Sequence, residues 1–291
     1  LCFGIGEGLG FSFIQSSVLD FPIISGKNRN LEKNICRNLG LICDERTTTS
    51  SKKAWNDLKN SLDSDAPVIL KVDPRYLDYF PADRIHVGNH FVVAVGYDEN
   101  YVYLSDTAHK SIQKAKKENF ARARSSKRKP FPPRNWMLIL KEKPAPVDLK
   151  AVIRHSIASN IREMLYPKTT TGGFSGMKLF SDYIFYLYNK NKFESHLKNA
   201  CMCLECSDNS NFRGLYCDFL KESREILKSK KIGNAVNSFA KSSKMWAGIS
   251  GQLKEIQEHR EYAKEYLSSI SKEITKIMEL ERDALIDLKG N

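Results

Sequence analysis

The stretch HFVVAVGYDENYVYLSD, residues 90–106, constrains the fold of this chain more than any other. Two runs rich in β-branched and aromatic residues flank a polar triplet, the pattern of two antiparallel strands joined by a tight turn. A turn centred on Glu99 places Asp106 opposite Val92. Since side chains two residues apart share a face of a strand, His90 is then a diagonal neighbour of Asp106, with Cα atoms about 7 Å apart. The hairpin therefore predicts a contact between an imidazole and a carboxylate.

This contact has a functional and a structural interpretation. A carboxylate that accepts a hydrogen bond from an imidazole fixes the tautomer and stabilises the imidazolium, as in a nucleophile–His–Asp triad. The same contact also occurs as a structural pair at a strand end, and the hairpin itself contains no nucleophile. His86 and His109 lie nearby in the sequence, but their spacing matches no standard metal-ligand motif.

Four further segments of the first half have clear periodicity. Apolar residues at helical spacing predict short helices over residues 30–39 and 54–62. Runs of β-branched and other apolar residues predict strands over residues 68–72 and 136–140. Together with the hairpin, these segments predict an α+β domain over residues 1–143.

The texture of the sequence changes after the linker KEKPAPVD, residues 141–148. No strand pattern follows, and apolar residues recur at helical spacing. Between Leu253 and Leu288 they predict one long amphipathic helix that begins after Gly251. We therefore expect an all-helical domain over residues 148–291, whose last helix has enough apolar surface to pair with another copy of the chain in a homo-oligomer.

The composition of the sequence indicates the cellular location of the protein. No apolar run approaches the roughly 20 residues that a membrane span needs, and no basic segment followed by an apolar stretch marks a signal peptide. The seven cysteines do not have the spacing of a secreted disulfide framework. These features predict a cytoplasmic protein with no membrane partner.

The net charge of +12 is concentrated in one segment. Residues 110–134 contain ten lysines and arginines and a single acid, Glu118. Such a segment attracts an anionic partner, such as a phosphate or an acidic protein, or forms a solvated loop. Neither interleaved aromatic residues nor a recognisable nucleic-acid-binding module accompanies it, so nucleic acid is not an expected partner.

Two other motifs suggest ligands but fit them poorly. Gly4 and Gly6 begin a dinucleotide-binding pattern, but Leu9 occupies the place of its third glycine and no strand signal precedes it. Four cysteines offer thiols for zinc, although only one pair has the usual spacing. These cysteines are Cys201, Cys203, Cys206 and Cys217. In a helical context cysteine is commonly a small buried residue, and we predict no metal and no cofactor.

Several stretches of the sequence resemble a known family. Three of them are FGIGEGLGF, AWNDLKNSLDSDAPVILKVD and GNHFVVAVGYDENYVYLSD, at residues 3–11, 54–73 and 88–106. They resemble the N-terminal domain of butirosin biosynthesis protein H, and GLYCDFLKE, residues 214–222, resembles a motif of the helical domain that commonly follows it. The resemblance covers nearly the whole chain, and the hairpin is its most specific part.

The resemblance implies a fold similar to that of papain-like and C39-like cysteine peptidases, followed by an all-helical domain. It also implies a Cys–His–Asp triad used for acyl transfer, in which an acyl or aminoacyl group passes from a carrier-protein thioester to an amine. The family's histidine corresponds to His90 and its acid to Asp106, the pair that the hairpin brings together.

The position of the nucleophile departs from the family pattern. In the family, the catalytic cysteine follows a histidine and precedes a helix, upstream of the FGIG stretch. In this sequence only Leu1 and Cys2 precede that stretch, and the chain does not begin with Met. The nucleophile is therefore Cys2, or a cysteine ahead of Leu1, or absent. Cys2 is expected in a glycine-rich loop, with no helix N-terminus to lower its pKa.

The sequence thus predicts a cysteine-dependent acyltransferase, with an acyl carrier protein or another thioester donor and a small amine acceptor as partners. The basic segment 110–134 is then expected to contact the acidic carrier or the phosphate of its pantetheine arm. Two alternatives use the same features. One is a thiol amidase or peptidase with water as the acceptor, and the other is a binding protein that kept the fold without the nucleophile.

Overall fold

The computed structural model describes residues 1–15, 21–81, 86, 88–129, 131–141 and 146–289. The chain divides into two compact units, Leu1–Gly40 with Ala145–Asn291 and Leu41–Pro144. We call the first the helical unit and the second the sheet unit, after their main secondary structure. The mixed α and β content and the helical C-terminal region confirm the coarse fold class predicted from the sequence.

The described residues form eight strands and ten α-helices. The strands are β1 (Leu9–Ile14), β2 (Ile23–Lys27), β3 (Cys43–Arg46), β4 (Val68–Val72), β5 (His90–Tyr97), β6 (Tyr101–Ser105), β7 (Gln113–Lys116) and β8 (Met137–Leu140). The helices are α1 (Cys2–Ile5), α2 (Leu31–Asn38), α3 (Ser51–Leu62), α4 (Lys117–Ser125), α5 (Leu149–Leu165), α6 (Gly173–Phe185), α7 (Phe193–Glu205), α8 (Arg213–Leu227), α9 (Lys230–Glu258) and α10 (Ala263–Leu288). Among the described residues, no helix combines the length and apolarity needed to cross a bilayer.

The sheet unit is built on one antiparallel sheet with the strand order β3-β8-β4-β5-β6-β7. The central strand β4 buries Val68, Leu70 and Val72, while the residues between them are half-buried, as expected for side chains that alternate between the two faces. Helices α3 and α4 contact β4 and contribute Leu58 and Phe120 to the core of this unit. Strands β5 and β6 therefore belong to a sheet that is packed against α3 and α4.

The periodic segments of the first half form the predicted elements. The helices expected over 30–39 and 54–62 are α2 and α3, and the strands expected over 68–72 and 136–140 are β4 and β8. Helix α3 begins earlier than its apolar pattern, at Ser51, because the Ser50 hydroxyl accepts a hydrogen bond from the Lys53 N–H (3.2 Å) and caps the helix.

The first forty residues pack with the helices, whereas the sequence-based boundary placed them with the sheet in the segment 1–143. Strands β1 and β2 form a separate two-stranded sheet that contacts α5, α6 and α7. Leu9, Phe11 and Phe13 on β1 are buried in the core of the helical unit, and Phe11 and Phe13 both pack against the Phe180 ring. Local periodicity predicts element types but does not predict which core an element joins.

The long amphipathic helix predicted after Gly251 is two helices. Gly251 lies inside α9, and the chain leaves the helical conformation at His259 (φ −130°, ψ 74°) before α10 begins at Ala263. The two helices pack against each other, and the apolar residues of the predicted stripe, from Leu253 to Leu288, are buried in the core of the helical unit. Because this stripe is covered within the unit, it does not supply the free apolar face on which pairing with a second chain was expected.

The opening glycines make room for neighbouring groups of the helical unit. A Cβ on Gly4 would lie 2.0 Å from the ring of Phe219, and one on Gly8 would lie 2.5 Å from the Phe3 carbonyl oxygen. Phe219 belongs to the GLYCDFLKE motif, so this motif and the FGIGEGLGF stretch meet through a contact that only glycine allows. The glycines are explained by close packing, without a bound nucleotide.

Arg213, which precedes that motif, is a buried structural cation. Its guanidinium forms two parallel hydrogen bonds with the Glu281 carboxylate (both 2.9 Å), and neither side chain is exposed. The remaining nitrogen donates to the carbonyl oxygens of Gly10, Gly26 and Asn211. Arg213 thereby ties β1, β2 and α10 to the start of α8.

Candidate functional site

The sheet unit brings His90 and Asp106 together in the manner that the hairpin predicts. His90 begins β5 and Asp106 directly follows β6, and the His90 Nε2 atom lies 2.8 Å from the Asp106 Oδ2 atom. At this end of the hairpin Val93 pairs with Ser105, which is the register expected for a turn centred on Glu99. Nearer the turn a bulge shifts the register by one residue. The contact thus follows from local sequence, while its catalytic role stays a prediction.

The Asp106 carboxylate is buried and receives several hydrogen bonds. Tyr79 Oη donates to the same Oδ2 atom (3.1 Å), and the Ala108 N–H donates to Oδ1 (2.9 Å). Burial by itself raises the pKa of Asp106, but the hydrogen bond and charge of His90, together with these two donors, outweigh it and lower the pKa below its ordinary value. Asp106 is therefore an ionised carboxylate at neutral pH, suited to orient an imidazole and to stabilise its cation.

Two aromatic side chains complete the surroundings of this pair. The edge of the Phe80 ring packs on His90, with ring centroids 5.3 Å apart, and Tyr79 packs on Phe80. Burial, and then the Asp106 charge, raise the pKa of Tyr79, so its hydroxyl stays a neutral donor. The His90 side chain is about one-fifth exposed. Its orientation is thus restricted from two sides, while part of the ring remains accessible.

His109 lies against the same aromatic residues but outside the pair. Its ring packs edge-on against Tyr79 and Phe80, and its Nε2 atom is buried with no hydrogen-bond partner among the described residues. Its backbone N–H donates to the Asp106 carbonyl oxygen (3.0 Å), which closes the turn after β6. His109 therefore acts in packing and in the geometry of this turn.

A second His–Asp pair in the sheet unit was not expected from the sequence. The His86 Nδ1 atom lies 2.8 Å from the Asp73 Oδ2 atom, and the Asp73 carboxylate is completely buried. The same oxygen accepts a hydrogen bond from Ser126 Oγ (2.8 Å), and Arg75 N–H donates to Oδ1. The signal in the sequence was the acid at the end of β4 in KVDPRY, since Asp73 caps the short helical turn Pro74–Tyr76. Asp73 thereby joins the turn to the chain after α4 through Ser126.

Cys2 begins a helix of four residues, which corrects the expectation that it lies in a glycine-rich loop. Cys2 is an exposed, free thiol. The unit that contains Cys2 is not the one that contains His90 and Asp106.

The four cysteines considered for zinc do not converge on one point. Within the described parts of the chain, the group of side chains close enough to share a metal is Glu255, Glu258 and His259, all exposed, and it contains no cysteine. Burial raises the pKa of the Cys201 and Cys203 thiols to about 12, and it also raises the pKa of Cys217. These three thiols are therefore protonated side chains inside the helical unit, which explains the cysteine-rich segment as packing.

The basic segment 110–134 is divided between the core and the surface of the sheet unit. Arg124 is buried and donates to the Ala54 carbonyl oxygen (3.0 Å), and burial lowers its pKa to about 10. Lys114 and Lys117 lie over aromatic rings of this unit. Arg122, Lys127 and Arg128 instead line a common cleft. The net charge of the segment did not predict which of its cations are buried, which lie over aromatic rings and which line the cleft.

The aromatic partners of the His–Asp pair were also missed from the sequence. Tyr79 and Phe80 belong to the stretch PRYLDYF after β4, whose spacing fits neither a helix nor a strand. The concentration of aromatic residues close to an acid was the available signal, but it does not reveal which carboxylate they face.

Comparison with family models covers most of the chain. The model "Butirosin biosynthesis protein H, N-terminal" matches residues 1–107, which include His90 and Asp106. The model "Domain of unknown function (DUF4872)" matches residues 118–288, more than half of the chain. No curated protein sequence matches this chain. The chain therefore belongs to the family in which the N-terminal domain of butirosin biosynthesis protein H is followed by a DUF4872 domain.

Proposed function

We propose that this protein is a cysteine-dependent acyltransferase with a papain-like or C39-like arrangement of its Cys–His–Asp residues. It transfers an acyl or aminoacyl group from a carrier-protein thioester, or another thioester donor, to a small amine. The observation that carries the proposal is the contact between His90 Nε2 and the buried, ionised Asp106 carboxylate. Membership of the butirosin H family supports acyl transfer as the reaction.

The geometry of the pair suits proton transfer at the other ring nitrogen. Because Nε2 faces Asp106, it carries the proton, and Nδ1 is left as the basic nitrogen of the neutral ring. His90 Nδ1 then accepts the proton of the attacking thiol, and Asp106 stabilises the imidazolium that forms. Tyr79 and the Ala108 N–H hold the carboxylate in place during this step.

The reaction proceeds in two balanced halves. The thiolate attacks the thioester carbonyl, the carbon–sulfur bond to the donor breaks, and the donor thiol leaves with the proton from His90. The amine then attacks the acyl-enzyme, His90 accepts its proton, and the enzyme thiol leaves and recovers a proton from His90. The products are an amide and the free donor thiol.

The proposed nucleophile is Cys2 or a cysteine ahead of Leu1. Cys2 is exposed and free and Cys206 is also exposed, whereas Cys36 and Cys43 form a disulfide. Burial raises the pKa of the thiols of Cys201, Cys203 and Cys217 and makes them poor nucleophiles. The family resemblance places the nucleophile upstream of the FGIG stretch, which Cys2 directly precedes and Cys206 follows.

The test is the formation of an acyl-enzyme from a small thioester, followed by intact-mass spectrometry and peptide mapping. We expect the wild type to gain one acyl group on a cysteine and His90→Ala to gain none. Peptide mapping together with Cys2→Ala then shows whether that cysteine is Cys2. His86→Ala is the matched control, since it disrupts the other His–Asp pair of the sheet unit and should retain acylation. Circular dichroism checks that each variant is folded.

The outcomes separate the proposal from its alternatives. Amide formation with an added amine supports the transferase, whereas the free acid alone indicates a hydrolase. Acylation that survives His90→Ala would falsify the assignment of the base. Acylation mapped to another cysteine would remove Cys2 from the mechanism, and no acylation of the wild type with any thioester would indicate a binding protein.

A further inference from the structure

The sheet unit contains a basic cleft that is separate from the His90–Asp106 contact. Its volume is about 430 Å³, and six residues line it: Tyr76, Arg122, Ser125, Ser126, Lys127 and Arg128. Three of them are cations and none is an acid. All three cations come from the end of α4 and the chain that follows it, a sequence of only seven residues.

The charges in this cleft have no anionic partner in the described part of the chain. Arg122, Lys127 and Arg128 are exposed, and none forms an ion pair with a described carboxylate. The Arg122 guanidinium lies over the Tyr76 ring, 4.9 Å from its centroid. Stacking of this kind holds the guanidinium plane and leaves the N–H groups at its edge available to an oxyanion.

Hydrogen bonds to buried groups of the sheet unit hold the backbone that carries these cations. Ser126 is buried and donates to the Asp73 carboxylate, and the Arg128 N–H donates to Ser126 Oγ (3.3 Å). The Asp73 N–H in turn donates to the Ala123 carbonyl oxygen (2.9 Å) on α4. The second His–Asp pair, through Asp73, thus fixes the start of the segment that carries Lys127 and Arg128. Such an arrangement positions the backbone that carries these charges before a ligand arrives, which favours binding.

We infer that this cleft binds the phosphate group of a phosphorylated ligand. A phosphate group offers at least two unesterified oxygens on a tetrahedral centre and one or two negative charges, so it can accept hydrogen bonds from more than one of the three cations that line the cleft. Arginine suits the planar pairing with two phosphate oxygens, and lysine adds a point charge. Tyr76 and Ser125 also line the cleft, and the Ser125 hydroxyl donates to the Ala121 carbonyl oxygen on α4 (2.7 Å).

The ligand class follows from the proposed function, on which this part of the inference rests. A carrier-protein thioester holds its acyl group on a pantetheine arm with one phosphodiester, and a free coenzyme thioester also contains phosphate. The chain from Asp73 to Phe80 contributes Tyr76 to the cleft and Tyr79 and Phe80 to the surroundings of His90 and Asp106. One short segment therefore connects the basic cleft with the proposed reaction centre, and we assign the cleft to the phosphate of the acyl donor.

The test is direct binding, which needs no turnover. Isothermal titration calorimetry with phosphopantetheine and with pantetheine, which lacks the phosphate, measures the contribution of that group to affinity. We expect wild-type protein to bind phosphopantetheine at least tenfold more tightly. The double variant Arg122→Glu/Arg128→Glu should remove this difference. Lys129→Glu, a charge reversal in the same segment at a residue that does not line the cleft, should retain it.

Two further ligands identify the source of the phosphate. The affinities of coenzyme A and of an acyl-free phosphopantetheinylated carrier are each measured for the wild type and for Arg122→Glu/Arg128→Glu. A loss of affinity in the variant for either ligand supports the inference and identifies that ligand as the donor type. Equal binding of phosphopantetheine and pantetheine by the wild type would overturn it. An equal loss of affinity in Lys129→Glu would also overturn it, in favour of unspecific charge attraction. Binding of an oligonucleotide that is stronger than that of phosphopantetheine and is weakened in the double variant would overturn it in favour of nucleic-acid binding.

The outcome is separable from that of the proposed function. If the small thioester acylates the enzyme but the cleft variants bind phosphopantetheine normally, the phosphate site is wrong and the acyltransferase proposal stands. If phosphopantetheine binds through Arg122 and Arg128 but no cysteine is acylated, the phosphate site stands without the transferase.

Discussion

Tyr79 donates a hydrogen bond to the same oxygen of Asp106 that faces His90, with Tyr79 Oη 3.1 Å from Asp106 Oδ2. The carboxylate is fully buried, so it depends on these donors in place of water. The His–Asp contact is therefore part of a three-residue hydrogen-bond network, in which Tyr79 orients the Asp106 carboxylate and that carboxylate orients the His90 imidazole.

Removal of the tyrosine hydroxyl should weaken this network without removing the aromatic ring. We expect Tyr79→Phe to lower the free energy of unfolding by about 1–2 kcal/mol, because a buried carboxylate loses one donor. Urea denaturation at neutral pH measures the change. Tyr103→Phe is the matched control in the same hairpin, since Tyr103 donates to the exposed Asp98, where water replaces the hydroxyl. Equal losses in the two variants would contradict the role of Tyr79.

The lowered pKa of Asp106 predicts how its contribution to stability depends on pH. Because the folded pKa lies below the ordinary value of 3.8, the ionised carboxylate stabilises the folded state above that pH, and this contribution is lost as the pH falls through the folded pKa. The difference in unfolding free energy between the wild type and Asp106→Asn should be constant near neutral pH and should shrink below about pH 4. Urea denaturation in a series of buffers measures it, and a difference that grows on acidification would indicate a raised pKa.

The buried pair of Arg213 and Glu281 should be the most sensitive polar contact of the helical unit. Replacement of one partner leaves the other charge buried, and we expect Arg213→Met or Glu281→Leu to lower stability by about 3–5 kcal/mol. The double variant should lose less than the sum of the two single losses, because it leaves no unpaired charge. Thermal and urea unfolding of the four proteins complete the cycle, and strictly additive losses would show that the pair is not coupled.

The two glycines Gly4 and Gly251 should respond oppositely to alanine. At Gly4 a Cβ meets the Phe219 ring at 2.0 Å, and we expect a loss of about 1–3 kcal/mol from overpacking. At Gly251, inside α9, a Cβ meets nothing within 4 Å, and we expect a gain of up to about 1 kcal/mol from helix propensity.

A second change tests the cause of the Gly4 effect. Phe219→Leu in the Gly4→Ala background should restore part of the lost stability, because the smaller side chain makes room for the new methyl group. Unfolding midpoints of the single and double variants measure this, and the absence of any restoration would show that Phe219 is not the group that requires glycine.

The candidate site was predictable from the sequence only where its contacts are local. His90 and Asp106 are 16 residues apart and joined by one turn, so strand periodicity and the turn position were enough to place them together. Tyr79 is 27 residues from Asp106, and Ser126 is 53 residues from Asp73. These contacts depend on how the chain after β4 and the chain after α4 fold against the sheet, which no local pattern encodes.

The sequence by itself determined the type of the strongly periodic elements, since a period of two or of about 3.6 residues reflects interactions between near neighbours in the chain. It thereby placed the hairpin, the strands β4 and β8, and the helical character of the second half. Only the tertiary structure decided that β1 and β2 join the helices, that the final apolar stripe divides into α9 and α10, and that Arg122 and Arg128 line a cleft while Arg124 is buried. The reason is physical: burial and charge pairing arise between residues distant in sequence, and the free energy of packing selects those partners after the local elements have formed.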